Sequence, residues 1–277
     1  RALRGRIAVE VDAHARLAAD GFRALLAGRA NCALFVREPF PSEEAAFRAR
    51  FGHAPLLVPV ALGSFATRGG THAIAIWVND ANPVRGLTLA QLRAAFSGRA
   101  ATWGDLGLKG AWARRPIHLY GMVPTRSSGD PPGVVNYVER RVMAGAPFRR
   151  DLAQQVDRPG EQALAAIVRK VAHDPDGLGY SGFGYARSGA RTVPLALKTG
   201  APLVGGSPAT VADAAYPLTR RIYVLVDRPP GRPLQPGLGR FLLQALSPAG
   251  QAAVAADPEG FLPLPAAEAA KARALVQ

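Results

Sequence analysis

Residues 71 to 98 read THAIAIWVNDANPVRGLTLAQLRAAFSG, and this stretch decides the fold. His72 to Val78 is mostly Ala, Ile, Trp and Val with weak alternation, which predicts a strand buried on both faces of a largely parallel sheet. Asn79 to Gly86, with Pro83 and Gly86, breaks the strand. Thr88 then fits an N-cap, and Leu89, Leu92, Ala95 and Phe96 recur at helical spacing before Gly98 ends the helix. A buried strand therefore delivers the chain into a new α/β unit.

Working outward, four segments keep a common order: VNDANPVRGLTLAQLRAAFSG with TWGDLG after it, DPDGLGYSGFGYA at 174–186, YPLTRRIYVLVDRPPG at 216–231 and FLLQALSPAGQAAVAADPEGFLPLP at 241–265. Together they resemble the phosphate-binding-protein branch of the type 2 periplasmic solute-binding proteins. The resemblance covers most of the chain from about residue 30 onward. It implies a two-lobed α/β fold joined by two crossing strands, with lobe one at residues 1–79 plus 195–277 and lobe two at 80–194. It also implies a periplasmic solute-binding protein, with its signal peptide removed, that offers a small oxyanion such as phosphate to an ABC-type permease in the inner membrane. A monomer is expected.

The composition is compatible with this and excludes other classes. The 277 residues suffice for two lobes, and 48% apolar with 19% charged residues describes a globular chain. No run of eighteen apolar residues is free of charges, prolines and glycines, so no membrane-spanning helix is expected. The chain starts at Arg1, as a processed or truncated exported protein would, although a cytosolic one would look the same. Cys32 is the single cysteine, which rules out an internal disulfide, and its apolar surroundings predict an inert core thiol.

The net charge of +14 would favour polyanions or anionic solutes. The charge is nearly all arginine and no block of five basic residues occurs, so a solvated basic surface is expected, with no specific nucleic-acid partner. The five histidines form no HExxH, and neither a GxSxG elbow nor a Walker loop is present, so no enzyme is expected. Asp174 and Asp176 are only two carboxylates without EF-hand spacing; no metal and no cofactor is expected.

Along the chain, RIAVEVD, a helix over about 15–26 and CALFV open lobe one, where the resemblance implies one more strand-helix unit before them; either the sequence is a fragment or lobe one is built differently. His14 and Arg16 stand in the loop where relatives carry small Ser/Gly residues, so close backbone approach to an anion is not expected there. In FVREPF, Arg37 matches a family arginine while Val36 replaces a hydroxyl. Arg37 is a candidate to hold an anion in two-point fashion, or a salt bridge with Glu38 or Glu43 takes it. Pro41 and Ser42 predict a helix start, with Ser42 as cap.

Two loops are candidate ligand sites. Ser64, Thr67 and Thr71 surround Gly63, Gly69 and Gly70 after the strand LLVPVAL; a flexible hairpin loop is the alternative. Residues 122–143, MVPTRSSGDPPGVVNYVERRVM, occupy the place where relatives cradle phosphate at a helix N-terminus. Arg126, Ser127, Ser128, Gly129 and Asp130 are the candidates. Ser128 and Gly129 match the family, Asp130 replaces a Thr, and Met122 replaces an Arg unless Arg126 substitutes for it. Asp130 is also a good N-cap, and Pro131 and Pro132 remove two N–H donors. These departures keep a second reading open: an interaction or polyanion-binding module on the same fold with a degenerate pocket. Strand TVPLALK is expected to return the chain to lobe one, followed by RRIYVLVD and three C-terminal helices.

Overall fold

The computed structural model describes residues 10, 17–122, 130–152 and 160–277. In chain order its elements begin with α1 (Ala18–Leu26), β1 (Cys32–Phe35), α2 (Pro41–Phe51), β2 (Leu56–Leu62), β3 (Ile74–Asn79), β4 (Leu87–Thr88) and α3 (Leu89–Phe96). There follow β5 (His118–Tyr120), α4 (Gly133–Val138), α5 (Ala163–Ala172), β6 (Gly177–Gly182), β7 (Ala190–Thr192), β8 (Leu195–Ala196) and α6 (Pro208–Ala212). The chain closes with β9 (Arg221–Val226), α7 (Pro236–Ala245), α8 (Pro248–Ala255) and α9 (Ala266–Val276). Of the expected strand RIAVEVD only Glu10 is described, exposed and in no strand, and His14 and Arg16 lie outside the described residues.

The chain forms two compact units, residues 1–64 with 220–277 and residues 65–219, so it passes between them twice. The first unit holds a sheet of order β1-β9-β2, in which β9 pairs antiparallel with both neighbours. Phe22, Leu25, Ala33, Phe35, Phe47 and Leu225 make its core, and the rings of Phe22 and Phe35 meet edge to face at 6.0 Å. Burial of each such large side chain contributes roughly 1.5–3 kcal/mol. Gln251, on α8, donates to Val60 O at 3.0 Å and accepts from Leu264 N at 2.7 Å, which ties the C-terminal helices to β2.

The second unit is built on a sheet of order β5-β6-β3-β7, with the small parallel pair β4-β8 beside it in sequence. All six residues of β3 are buried, as the Ile-Ala-Ile-Trp-Val run predicts. The sheet is not largely parallel, however. Among its described strands only β5 and β6 run parallel, and β3 is antiparallel to both β6 and β7. A run of apolar residues records burial on two faces and carries no information about strand direction.

Local signals around β3 are realised closely. The Thr88 hydroxyl accepts from Gln91 N at 3.1 Å while Gln91 Oε1 accepts from Thr88 N at 2.9 Å, a reciprocal cap of the kind whose loss costs about 1 kcal/mol. Gly98 ends α3 in the left-handed region, at φ 81°. Ser42 is not the cap of α2: Phe40 is, Pro41 takes the first helical position, and Glu43 Oε2 reaches back to Phe40 N at 2.8 Å. The helix expected over Val134 to Met143 is α4 followed by one π-helical turn, Glu139–Met143. α6, capped by Ser207, was not foreseen.

The segment TVPLALK stays in the second unit as β7 and β8, and the chain leaves that unit only at residues 219–220. β3 likewise pairs only within the second unit, so the compact units divide at residues 64 and 220 where the sequence reading placed 79 and 195.

Four arginines bond backbone carbonyls near helix ends. Arg50 donates to Leu26 O at the end of α1, Arg93 to Val142 O at the end of the π-turn, Arg228 to Leu275 O near the end of α9, and Arg273 to Leu246 O beyond α7. A guanidinium there satisfies orphan carbonyls and opposes the negative end of the helix dipole.

Candidate functional site

Arg37 follows β1, and its side chain is already engaged. Nη1 donates to Glu43 Oε2 at 2.8 Å and Nη2 to Glu43 Oε1 at 2.7 Å, Nη1 also reaches Glu38 O at 3.1 Å, and the guanidinium lies 3.7 Å from the centre of the Phe40 ring. Of the readings the sequence left open, the salt bridge to Glu43 is the one formed. Beside it, Glu38 and Arg220 are paired at 2.8 Å with both side chains buried. Arg220 is the residue at which the chain re-enters the first unit, so this charge pair fixes the start of β9 to the end of β1.

Ser64 ends the run from β2 and is buried, at 2% exposure. Thr71, at 6%, is buried at the other end of the loop. The loop between them is anchored by side chains. Phe65 stacks on Phe183 at 4.7 Å, Arg68 Nε donates to Gly184 O at 2.7 Å, and the Arg68 guanidinium lies 5.2 Å from the Tyr185 ring. A Cβ on Gly184 would stand 2.1 Å from Ala66 O, so the glycine-rich segment 174–186 is glycine where this loop must lie against it. That relation joins residues more than a hundred positions apart and has no local sequence signal.

Arg126, Ser127, Ser128 and Gly129 lie outside the described residues. Asp130 is described and exposed. It does not cap α4, because the N-cap is Pro132, whose carbonyl accepts from Val135 N and Asn136 N at 2.9 and 3.1 Å. Two prolines separate the acid from the first helical turn and carry it past the capping position. Of the candidates, Arg37 and Ser64 belong to the first unit and Thr71 and Asp130 to the second.

One cluster was missed by sequence. His118, at the start of β5, brings a third ligand-type side chain to Asp174 and Asp176, with one atom from each within 4.8 Å of the others. His118 Nδ1 lies 2.8 Å and the Tyr120 hydroxyl 2.7 Å from Asp174 Oδ2, Asp174 Oδ1 accepts from Asp176 N at 3.0 Å, and Arg115 Nε sits 2.5 Å from Asp176 Oδ1. Burial pushes the Asp174 carboxyl up, but the hydrogen bonds from Tyr120, His118 and the Asp176 N–H outweigh it and hold the group below its ordinary value. Burial and the adjacent Asp174 push the Tyr120 phenol well up. With its acids bonded to neighbours and an arginine beside Asp176, the cluster reads as a turn that seats the parallel β5–β6 pair. Cys32 is a free thiol whose pKa burial raises, which keeps it in the unreactive form.

Comparison with known proteins agrees with this architecture. The profile of the PBP superfamily domain matches residues 9–248. The chain is 37% identical over 257 residues to the phosphate-binding protein PstS of Pseudomonas aeruginosa strain PAO1, covering 90% of this chain and 72% of that one. Its fold is similar to PstS from Borrelia burgdorferi, with a TM-score of 0.55 at 15% identity over 89% of this chain and 84% of that one. An ABC-type phosphate transport receptor from Vibrio cholerae gives 0.54 at 18% identity over 88% and 84%. At such identities these two likenesses speak for the fold alone. The chain belongs to the PBP superfamily and is, within it, a relative of the phosphate-binding PstS proteins.

Proposed function

We propose that this protein is the solute-binding component of an ABC-type uptake system, that it works in the periplasm as a monomer, and that its ligand is phosphate. The observation that carries this reading is the 37% identity to a phosphate-binding protein over 90% of the chain. The retained Ser128 and Gly129 support it, since hydroxyls and free N–H groups before a helix are what an oxyanion needs. The role is binding without catalysis, followed by presentation of the loaded form to a membrane permease. Ser64, Thr71 and the residues from Arg126 to Asp130 are assigned to the ligand. Arg37 is assigned to the support of that site through Glu43.

A second reading, an interaction module with a degenerate pocket, is favoured by one specific observation: the guanidinium best placed by family position, Arg37, is held by Glu43. Calorimetric titration of the full chain with phosphate, with sulfate as control, separates the two. Saturable one-to-one phosphate binding is expected. Absence of binding by a chain whose circular dichroism shows it folded would overturn the transport reading and leave the second.

A further inference from the structure

The first unit contains a cavity of about 210 Å3 that uses none of the residues assigned to phosphate. Its walls are Leu25 of α1, Phe51 at the end of α2 and Leu238 of α7, and its polar groups are Asn31, Asp227 and Gln235. At about 30 Å3 per water, the space equals about seven waters, enough for a ligand of a few heavy atoms. Three features set its electrostatic sign. Among the described residues Asp227 is the only charged one lining it, and α1 and α2 both bring their C-terminal, negative ends to its wall. Against these stand the N-terminus of α7 at Gln235, Arg50 Nε on Leu26 O at 3.3 Å, and His53, whose Nε2 lies 3.0 Å from Asp227 Oδ1.

The unused hydrogen-bonding capacity includes a buried carboxylate oxygen. Asn31 Nδ2 donates to Gln235 Oε1 at 3.2 Å, and Asp227 Oδ1 is buried without a hydrogen bond among the described residues, although His53 Nε2 lies 3.0 Å from it. A buried carboxylate oxygen without a hydrogen bond, beside a short apolar wall, is the complement of an ammonium group on a short alkyl stem. We propose that this cavity binds a small primary ammonium compound.

Propylammonium, 1-propanol and propionate are nearly the same size and differ in charge, so they test the assignment directly. In an NMR titration of the full chain, propylammonium is expected to give saturable amide shifts at Gly28, Asn31 and Leu238, and neither 1-propanol nor propionate is. The net charge of +14 disfavours unspecific uptake of a cation, which makes saturation informative. Asp227→Asn is expected to weaken binding at least tenfold, and Leu238→Trp, which fills the cavity, to abolish it while leaving any phosphate response in place. Should Asp227→Asn fail to fold, Leu238→Trp decides alone. Equal response to propanol and propylammonium, no saturation, or undiminished binding in a folded variant would overturn the proposal, the cavity then being a water-filled recess.

Discussion

Arg37 and Glu43 face each other across the turn between β1 and α2 in a two-point ion pair of 2.8 and 2.7 Å. Glu43 also accepts from Phe40 N, so a single carboxylate holds the guanidinium, caps the helix and closes the turn. Removing one member of a mostly buried charge pair leaves the other without its counter-charge. Arg37→Ala is expected to lower stability by about 3 kcal/mol in urea unfolding, and Arg37→Lys to recover only part of it, because an ammonium cannot span both oxygens. If Arg37 serves the fold, phosphate affinity in a folded Arg37→Lys variant stays within twofold; a loss of several decades with unchanged stability would show that it touches the ligand.

Asp130 puts a carboxylate into a loop where phosphate relatives have a hydroxyl. The residue is exposed, so the relevant dielectric is near that of water, and two charges about 4 Å apart interact there by about 1 kcal/mol. Asp130→Thr is therefore expected to strengthen phosphate binding about fivefold in calorimetry, with the gain shrinking as salt is added. Unchanged or weaker binding in the variant would place Asp130 away from the anion, or on a proton that the ligand carries.

The Asp174 carboxyl has a folded pKa below its unfolded value of about 3.9. A depressed acid contributes stability that is fully present above the unfolded pKa and lost as pH falls through the folded one. The wild-type chain is thus expected to lose this contribution below about pH 4. Asp174→Asn should be less stable at pH 7 and should show a shallower fall in acid. Parallel stability curves for the two proteins from pH 7 to acid would refute this assignment.

Ala144 ends the π-helical turn in the left-handed region, at φ 47°, and is exposed. A side chain there costs about 1 kcal/mol, which glycine avoids at the expense of greater freedom in the unfolded chain. Ala144→Gly is expected to raise stability by about 0.5 kcal/mol, read as a small increase in calorimetric melting temperature. A lower melting temperature would mean that the Ala144 methyl makes a contact worth more than the strain.

What the sequence determined by itself is local in origin. The Thr88 cap, the stop at Gly98, the buried run of β3, β9 within RRIYVLVD and the C-terminal helices α7, α8 and α9 all depend on neighbours within a few positions, and these appear where periodicity and turn chemistry put them. The order of the four conspicuous segments was likewise enough to identify the superfamily.

Only tertiary structure decided the rest. Strand direction around β3, the retention of β7 and β8 in the second unit, and the joining of His118 to Asp174 depend on pairings between distant residues, and each is compatible with the same apolar pattern whichever way it goes. The role of Arg37 was undecidable from its own position, since both acids near it in sequence were possible partners and geometry chose Glu43. The cavity around Asp227 is the extreme case. Its residues come from four separate stretches of chain, each unremarkable alone, and only packing the ends of α1 and α2 against the start of α7 gathers them around one carboxylate.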